Sequence, residues 1–291
     1  MPQGYFNNST NSNKLIYYRD LANKSFMWYS CDMADRYREN MKAGKLDPIY
    51  LTKKISYDFN SEGYRTKEFS EFKENEFFVA MGCSYTLGEG LAQEDVWPAV
   101  VGDMLGIDNM NLGISGGGID LIMRNTFLYL KSDLPKPKFV SIQLPESARK
   151  HNIYQQGEGE FCNINDDYLR EDQLEEFQTG FNMTNIAYPG FYVDYITHLW
   201  NSVGVPVITW SFSGDFDLSV KYSRYKIWNI PDDMPTEIDS FPGDVARDNS
   251  HDGIGNNYAT STIISNILKA FLHKNDLNIQ AEETYNEYIK R

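Results

Sequence analysis

The chain has 291 residues, with 41 acidic against 27 basic side chains, and its formal net charge of −14 repels phosphate backbones and argues against nucleic acid as a partner. That length accommodates one large α/β domain with accessory segments. Aromatic residues make up 14% of it, including 20 Tyr, more than a minimal core needs and suited to contacts with saccharide or protein.

Residues 1–10 contain neither a basic n-region nor an apolar stretch, and no later run approaches the length that spans a bilayer. The expectation is therefore cytoplasmic synthesis without a signal peptide or a membrane span. Cys31, Cys83 and Cys162 are an odd set at spacings that match no zinc or disulfide framework, which predicts a reducing compartment. From about 13 to 72 no period is sustained, apart from a helical pattern around 26–42 and the alternation Ile55-Ser56-Tyr57-Asp58-Phe59. That alternation breaks at Asn60-Ser61-Glu62-Gly63, as a strand entering a turn does.

Beyond this point strands and helices alternate. Phe77-Phe78-Val79-Ala80-Met81 is a short continuous apolar run, the pattern of a strand buried on both faces. Asp95 is placed to cap a helix reaching Leu105, with Pro98 in its first turn, where a missing N–H costs nothing. Met110 to Ile114, Lys138 to Leu144 and Val205 to Ser211 read as further strands, and 119–131, 188–203 and 256–273 as helices. Segments 149–180 and 215–247 do not fit the repeat and read as insertions over the active face. The β-α repetition implies a mostly parallel sheet between two helical layers, with ligands beyond the carboxyl ends of the strands.

Ser84 stands at such an end, in Gly82-Cys83-Ser84-Tyr85-Thr86. A serine hydroxyl needs a base within hydrogen-bond reach to act as a nucleophile. Asp248-Asn249-Ser250-His251 offers one: Asp248 can accept from one imidazole nitrogen of His251 and leave the other facing Ser84. Between them lies Asn111-Leu112-Gly113-Ile114-Ser115-Gly116-Gly117-Gly118, whose bare glycine N–H groups can approach a developing oxyanion. A phosphate loop competes for that segment, but it lacks both the dinucleotide fingerprint and the Walker lysine. Taken singly, the three blocks also read as a helix cap, a tight turn and a solvated loop. No His-x-x-x-His or multi-cysteine spacing calls for a metal, and no cofactor is implied. A paired-carboxylate glycosidase stays open, because its two acids need not be close in sequence. Of the other histidines, His151 and His273 read as surface residues and His198, near Trp200, as packed.

From Phe77 to Leu272 these blocks resemble the SGNH, or GDSL-type, esterases and lipases. Gly82, Ser84, Thr86 and Gly88 follow that family's Gly-Asp-Ser-x-Thr-x-Gly, with Cys83 in place of an Asp that is not a member of the catalytic triad. The resemblance implies a flavodoxin-like three-layer α/β/α sandwich, a triad of Ser84, His251 and Asp248, and an oxyanion hole using the backbone N–H groups of Ser84 and Gly116. Several such proteins carry a segment similar to Asn60-Ser61-Glu62-Gly63-Tyr64-Arg65, whose expected role is packing. The departure is in the third block. Where the family commonly has Gly-x-Asn-Asp, with the Asn completing the oxyanion hole, this chain reads Ser141-Ile142-Gln143-Leu144-Pro145-Glu146-Ser147. An ungapped placement puts Ser147 at the Asn, and Gln143 lies just before the strand end. Either side chain can donate. Losing one such donor costs about a hundred- to a thousand-fold in turnover, so a slow or inactive enzyme is an expectation of this departure.

The expected organisation is an N-terminal extension over 1–72 packed on the core, a hydrolase domain over 73–275 and a charged tail over 276–291. The expected function is a serine esterase for small acyl esters such as O-acetyl groups on a saccharide. Its partner is then a small-molecule or saccharide ester, with a protein assembly or homo-oligomer left open. The alternative is an inactive binding or structural protein on the same fold, incorporated into a phage particle. It draws on the altered third block, the irregular first 70 or so residues and an Asn/Asp/Tyr-rich composition that resembles proteins of marine bacteria and their phages.

Overall fold

The computed structural model of the chain describes residues 21–145, 187–211, 224–228, 237–239 and 244–274. Segment 149–180, most of 215–247 and the tail, with Ser147, His151 and Cys162, lie outside the described residues. Near the start, β1 (Ser25–Phe26) and β2 (Tyr57–Asp58) pair antiparallel. The main sheet is built from β3 (Phe77–Gly82), β4 (Asp108–Gly113), β5 (Val140–Leu144), β6 (Val207–Ser211), β7 (Arg224–Trp228) and β8 (Glu237–Asp239), in the spatial order β4-β3-β5-β6-β7-β8. The first four of these strands are parallel to their neighbours, and β7 and β8 extend the β6 edge antiparallel. The chain runs from β3 out to β4 and then returns past β3 to β5. This reversal opens a crevice at the carboxyl end of β3, the place where open α/β sheets bind ligands.

The apolar run of β3 buries both of its faces because its side chains alternate between two helical layers. Phe77, Val79 and Met81 join Met110, Leu112, Ile142, Leu144, Ile122 and Trp200 under the helices Ile119–Lys131 and Ala187–Ser202. Phe78 and Ala80 join Trp97, Val101, Ile208, Trp210, Ile264 and Leu268 under the helices Trp97–Leu105 and Ile254–Lys274. The sheet is therefore the middle layer of an α/β/α sandwich. Each buried indole finds an acceptor, as a buried N–H must. Trp97 reaches Gln143 Oε1, Trp200 reaches Thr126 and Trp210 reaches Ser141.

Several elements differ from the sequence expectation. The pattern around 26–42 resolves into β1 followed by a helix only over Ala34–Lys42. Asp95 does not cap the next helix. Gln93–Asp95 is a 3₁₀ turn, the N-cap is Val96 with no side-chain bond, and the Trp97 N–H is met from across the fold by Asn257 Oδ1 at 3.1 Å. A tertiary partner has taken the place of a local cap. His198 is exposed, not packed.

The N-terminal segment packs where the site forms. Leu21, Tyr29, Leu46, Tyr50, Ile55, Tyr57 and Phe59 bury against Leu87, Leu91, Val96 and Ala246, which flank the Ser84 turn and the His251 loop.

Candidate active site

Ser84 begins a one-turn helix, Ser84–Leu87, directly after β3. The turn is tight, and the identity at Gly82 follows from it: a Cβ there would land on Thr86 Oγ1 and lie 2.9 Å from the carbonyl of Gln143. Thr86 in turn donates to Gln143 Oε1 at 2.6 Å, and Asn111 Nδ2 donates to the carbonyl of Thr86 at 2.6 Å, so the turn is tied to both neighbouring strands. Its exit is held by Arg65, a buried guanidinium that donates to the carbonyls of Leu87, Gly88, Leu91 and Ser56 at 2.6–3.1 Å. Asn60 shapes the loop that delivers Arg65, its Oδ1 accepting from the N–H groups of Glu62 and Tyr64. The Asn60 to Arg65 segment thus acts on the backbone carbonyls at the exit of the turn.

His251 arrives from a loop of matching compactness. An isolated bridge joins Val245 to Asp252, Ala246 N–H reaches the carbonyl of His251, and Arg247 N–H reaches the carbonyl of Gly90, which brings the loop beside the Ser84 turn. The structure then unites three of the residues singled out in the sequence. His251 Nε2 lies 2.8 Å from Ser84 Oγ, and His251 Nδ1 lies 2.5 Å from Asp248 Oδ2. Asp248 Oδ1 accepts the backbone N–H groups of Ser250 and His251 at 3.1 and 3.2 Å. Burial alone would raise the Asp248 carboxyl, but the hydrogen bond and charge of His251 and the two N–H groups outweigh it and hold it below the usual carboxylate range. Tyr85 sets its ring edge-on to the imidazole and donates its hydroxyl to the carbonyl of Ser250 at 3.3 Å.

Gly116 adopts a left-handed φ of +70°, open to glycine without strain, in the turn after β4. Its N–H and that of Ser84, the first residue of its helix, have no backbone acceptor among the described residues. Gln143 commits its Oε1 to Thr86 and Trp97, and its Nε2 is buried with no partner among the described residues. Ser147 lies outside the described residues.

Glu89, Asp248 and His251 bring donor atoms within 4.8 Å of one another, the group among the described residues that a metal ion could use. Both ring nitrogens of His251 already have partners, so a metal would have to displace Asp248 or Ser84. The arrangement fits proton transfer between side chains better than ligation.

Sequence reasoning missed the residues that support the loop. Arg247 forms a buried ion pair with Asp32, donating through Nε at 2.9 Å and through Nη2, and stacks over Trp28 at 3.9 Å. Arg36 Nη2 donates to Ser250 Oγ at 2.5 Å. These partners are more than 200 residues apart in the chain, and no periodicity signals such a pair.

No protein-family model and no curated protein matches the chain. Solved structures do. One is a lipolytic protein of the G-D-S-L family from Desulfitobacterium hafniense DCB-2, 15% identical, with 66% of this chain and 99% of that one covered and a TM-score of 0.33. The resemblance is to the SGNH hydrolases. An SGNH-hydrolase family esterase is 20% identical over 47% of this chain and 77% of that one, with a TM-score of 0.25. An acetyl xylan esterase from the rumen bacterium Butyrivibrio proteoclasticus is 10% identical over 69% of this chain and 64% of that one, with a TM-score of 0.36. Among the described residues no helix is long and apolar enough to cross a membrane.

Proposed function

We propose that the chain is a serine ester hydrolase for small acyl esters, with an O-acetyl group on a saccharide as the finer reading of its substrate. The observation that carries this is the continuous line Asp248–His251–Ser84, with Asp248 fully buried and Ser84 and His251 only 5% and 8% exposed. Ser84 Oγ attacks the ester carbonyl as His251 Nε2 takes its proton, while Asp248 holds the Nδ1–H and stabilises the imidazolium. The imidazolium then protonates the leaving alkoxide, and a water activated in the same way releases the acyl group. The oxyanion is received by the N–H groups of Ser84 and Gly116, with the orphaned Nε2 of Gln143 or the hydroxyl of Ser147 as the third donor. Tyr85, Ser30, Ser115 and Arg36 are half-buried around this line, a rim of hydroxyls and one guanidinium that suits a hydroxyl-rich acceptor.

Hydrolysis of a chromogenic acetate ester and labelling by a fluorophosphonate test the proposal. Wild type should do both, with the label on Ser84, and Ser84→Ala should lose both while keeping its fold. Label on another serine would defeat the assignment. A folded wild type that neither hydrolyses nor labels would favour a binding protein on this fold. Gln143→Ala and Ser147→Ala separate the third donor, since the true one should cost about a hundred- to a thousand-fold in kcat.

A further inference from the structure

The carboxyl of Glu89 is only 1% exposed, and no step of the proposed reaction uses it. Its placement is fixed at several points. The Glu89 backbone N–H donates to the carbonyl of Ser84 at 3.1 Å, and Oε2 accepts the N–H of Cys31 at 3.2 Å from the N-terminal segment. Ser30 and Ser115, whose hydroxyls are 3.0 Å apart, face the same carboxyl, and Ser115 immediately precedes Gly116. Oε1 is buried and has no partner among the described residues. The carboxyl lies within 4.8 Å of both a ring nitrogen of His251 and the carboxylate of Asp248.

Glu89 therefore stands between the base and the oxyanion loop. The groups facing it from the surrounding elements are Tyr29 and Cys31 of the N-terminal segment and Asp248 and His251 of the last loop. Arg247 is turned away onto Asp32, so among the described residues the cation this carboxyl faces is the imidazolium of His251. The geometry points to Glu89 as a positioning residue: a second carboxylate that stabilises the imidazolium formed when Ser84 gives up its proton. Burial pushes the Glu89 carboxyl above the usual range, and the His251 charge and hydrogen bonds from Ser115, Cys31 and Ser30 pull against it. A carboxyl balanced in this way responds to the charge on the imidazole.

The inference rests on the proposed esterase reaction, and Glu89→Gln tests it, keeping the shape and removing the charge. On the chromogenic acetate, kcat/KM should fall about tenfold or more, carried by kcat and not by KM. The acid limb of the pH profile should move down by about one unit, because a carboxylate within about 4–6 Å favours the charged imidazole. Glu89→Asp, which keeps the charge, should leave the limb near its wild-type position. A Gln variant whose limb does not move, or an Asp variant whose limb moves as far as that of Gln, overturns the proposal. A readout without turnover separates this from failure of the esterase reading. The nitrogen-15 resonances of the His251 ring should titrate about one unit lower in Glu89→Gln than in the wild type, and near the wild-type midpoint in Glu89→Asp, with Asp248 present in all three. An equal midpoint in the wild type and Glu89→Gln overturns the proposal even if the protein never hydrolyses an ester, and a lowered midpoint in an inactive Glu89→Gln protein upholds it while the esterase reading fails.

Discussion

The turn that carries Ser84 and the loop that carries His251 meet at 2.8 Å, yet different forces hold them. The turn is fixed by close packing of its own backbone: Gly82 leaves no room for a Cβ, Thr86 and Asn111 tie it to the adjacent strands, and Arg65 holds its exit carbonyls from the preceding loop. The loop is held by side chains from the far end of the sequence. Asp32 and Trp28 grip Arg247, and Arg36 reaches Ser250. A nucleophile held mainly by close packing should be less sensitive to pH and salt than one held by an ion pair. A base whose loop leans on a buried ion pair depends on both members of that pair being present and ionised.

The largest effect expected from this contrast is at Asp32. Asp32→Ala leaves a buried guanidinium unpaired and should destabilise the chain by about 3–5 kcal/mol in urea unfolding. Esterase activity should fall with it, because Arg247 adjoins Asp248. The pair Asp32→Leu with Arg247→Met should recover part of the stability, since a well-packed apolar replacement for a buried ion pair is often neutral, while the buried Tyr57 hydroxyl loses its Asp32 acceptor. Activity that returns with stability would show that the pair serves only folding, whereas activity that stays low would assign it to orienting the loop. Next in size is Gly82→Ala, which should cost about 1–3 kcal/mol through overpacking against Thr86. If it is neutral, the turn is less tightly fixed than the contrast requires.

The same contrast separates what the sequence discloses from what it hides. Strands β3 to β6 and the helices beside them were legible because a buried parallel sheet writes its period directly into the residues, as in Phe77 to Met81. Ser84, His251 and Asp248 were legible because each sits in a short local motif. The support for that line was not legible, since Asp32 and Arg247 are two ordinary charged residues until the fold unites them. The cap of the helix Trp97–Leu105 failed for a related reason, as Asn257 supplies from a distance what Asp95 was expected to supply locally. Strands β7 and β8 fall inside segment 215–247, where antiparallel edge strands of three to five residues carry too short an alternation to identify.

A smaller and more specific effect is expected with pH. The Asp248 carboxyl is held below the range it has in the unfolded chain, so the stability it contributes is fully present above that range and is lost as pH falls through its folded value. Urea unfolding from neutral pH to below about pH 4, the ordinary Asp range, should show wild type losing stability relative to Asp248→Asn only below that range. The difference between the two curves isolates this carboxyl from Glu89 and Asp244, which burial shifts in the opposite direction. Curves that stay parallel would mean that folding does not shift the Asp248 carboxyl, and a wild type that gains stability relative to Asp248→Asn as pH falls would mean that it is neutral in the folded protein.

Arg36→Ala is the mildest test. The guanidinium is half-buried and gives one hydrogen bond to Ser250 Oγ, while the main chain of the same residue is already held by Asp248 Oδ1 and by Tyr85. Unfolding free energy should change by no more than about 0.5 kcal/mol, as for most surface substitutions. The kinetic effect should match or exceed that figure, because the loop need tilt only slightly to lengthen the contact from His251 to Ser84. A two- to threefold loss in kcat/KM is expected, roughly 0.4–0.7 kcal/mol of transition-state stabilisation. Raising the salt concentration should leave this loss unchanged, since Ser250 is neutral and the bond to it is not an ion pair. A loss that instead disappears at high salt would mean that Arg36 acts through its long-range field on Asp248 and Glu89, and the loop would then be held by its local bonds as firmly as the Ser84 turn.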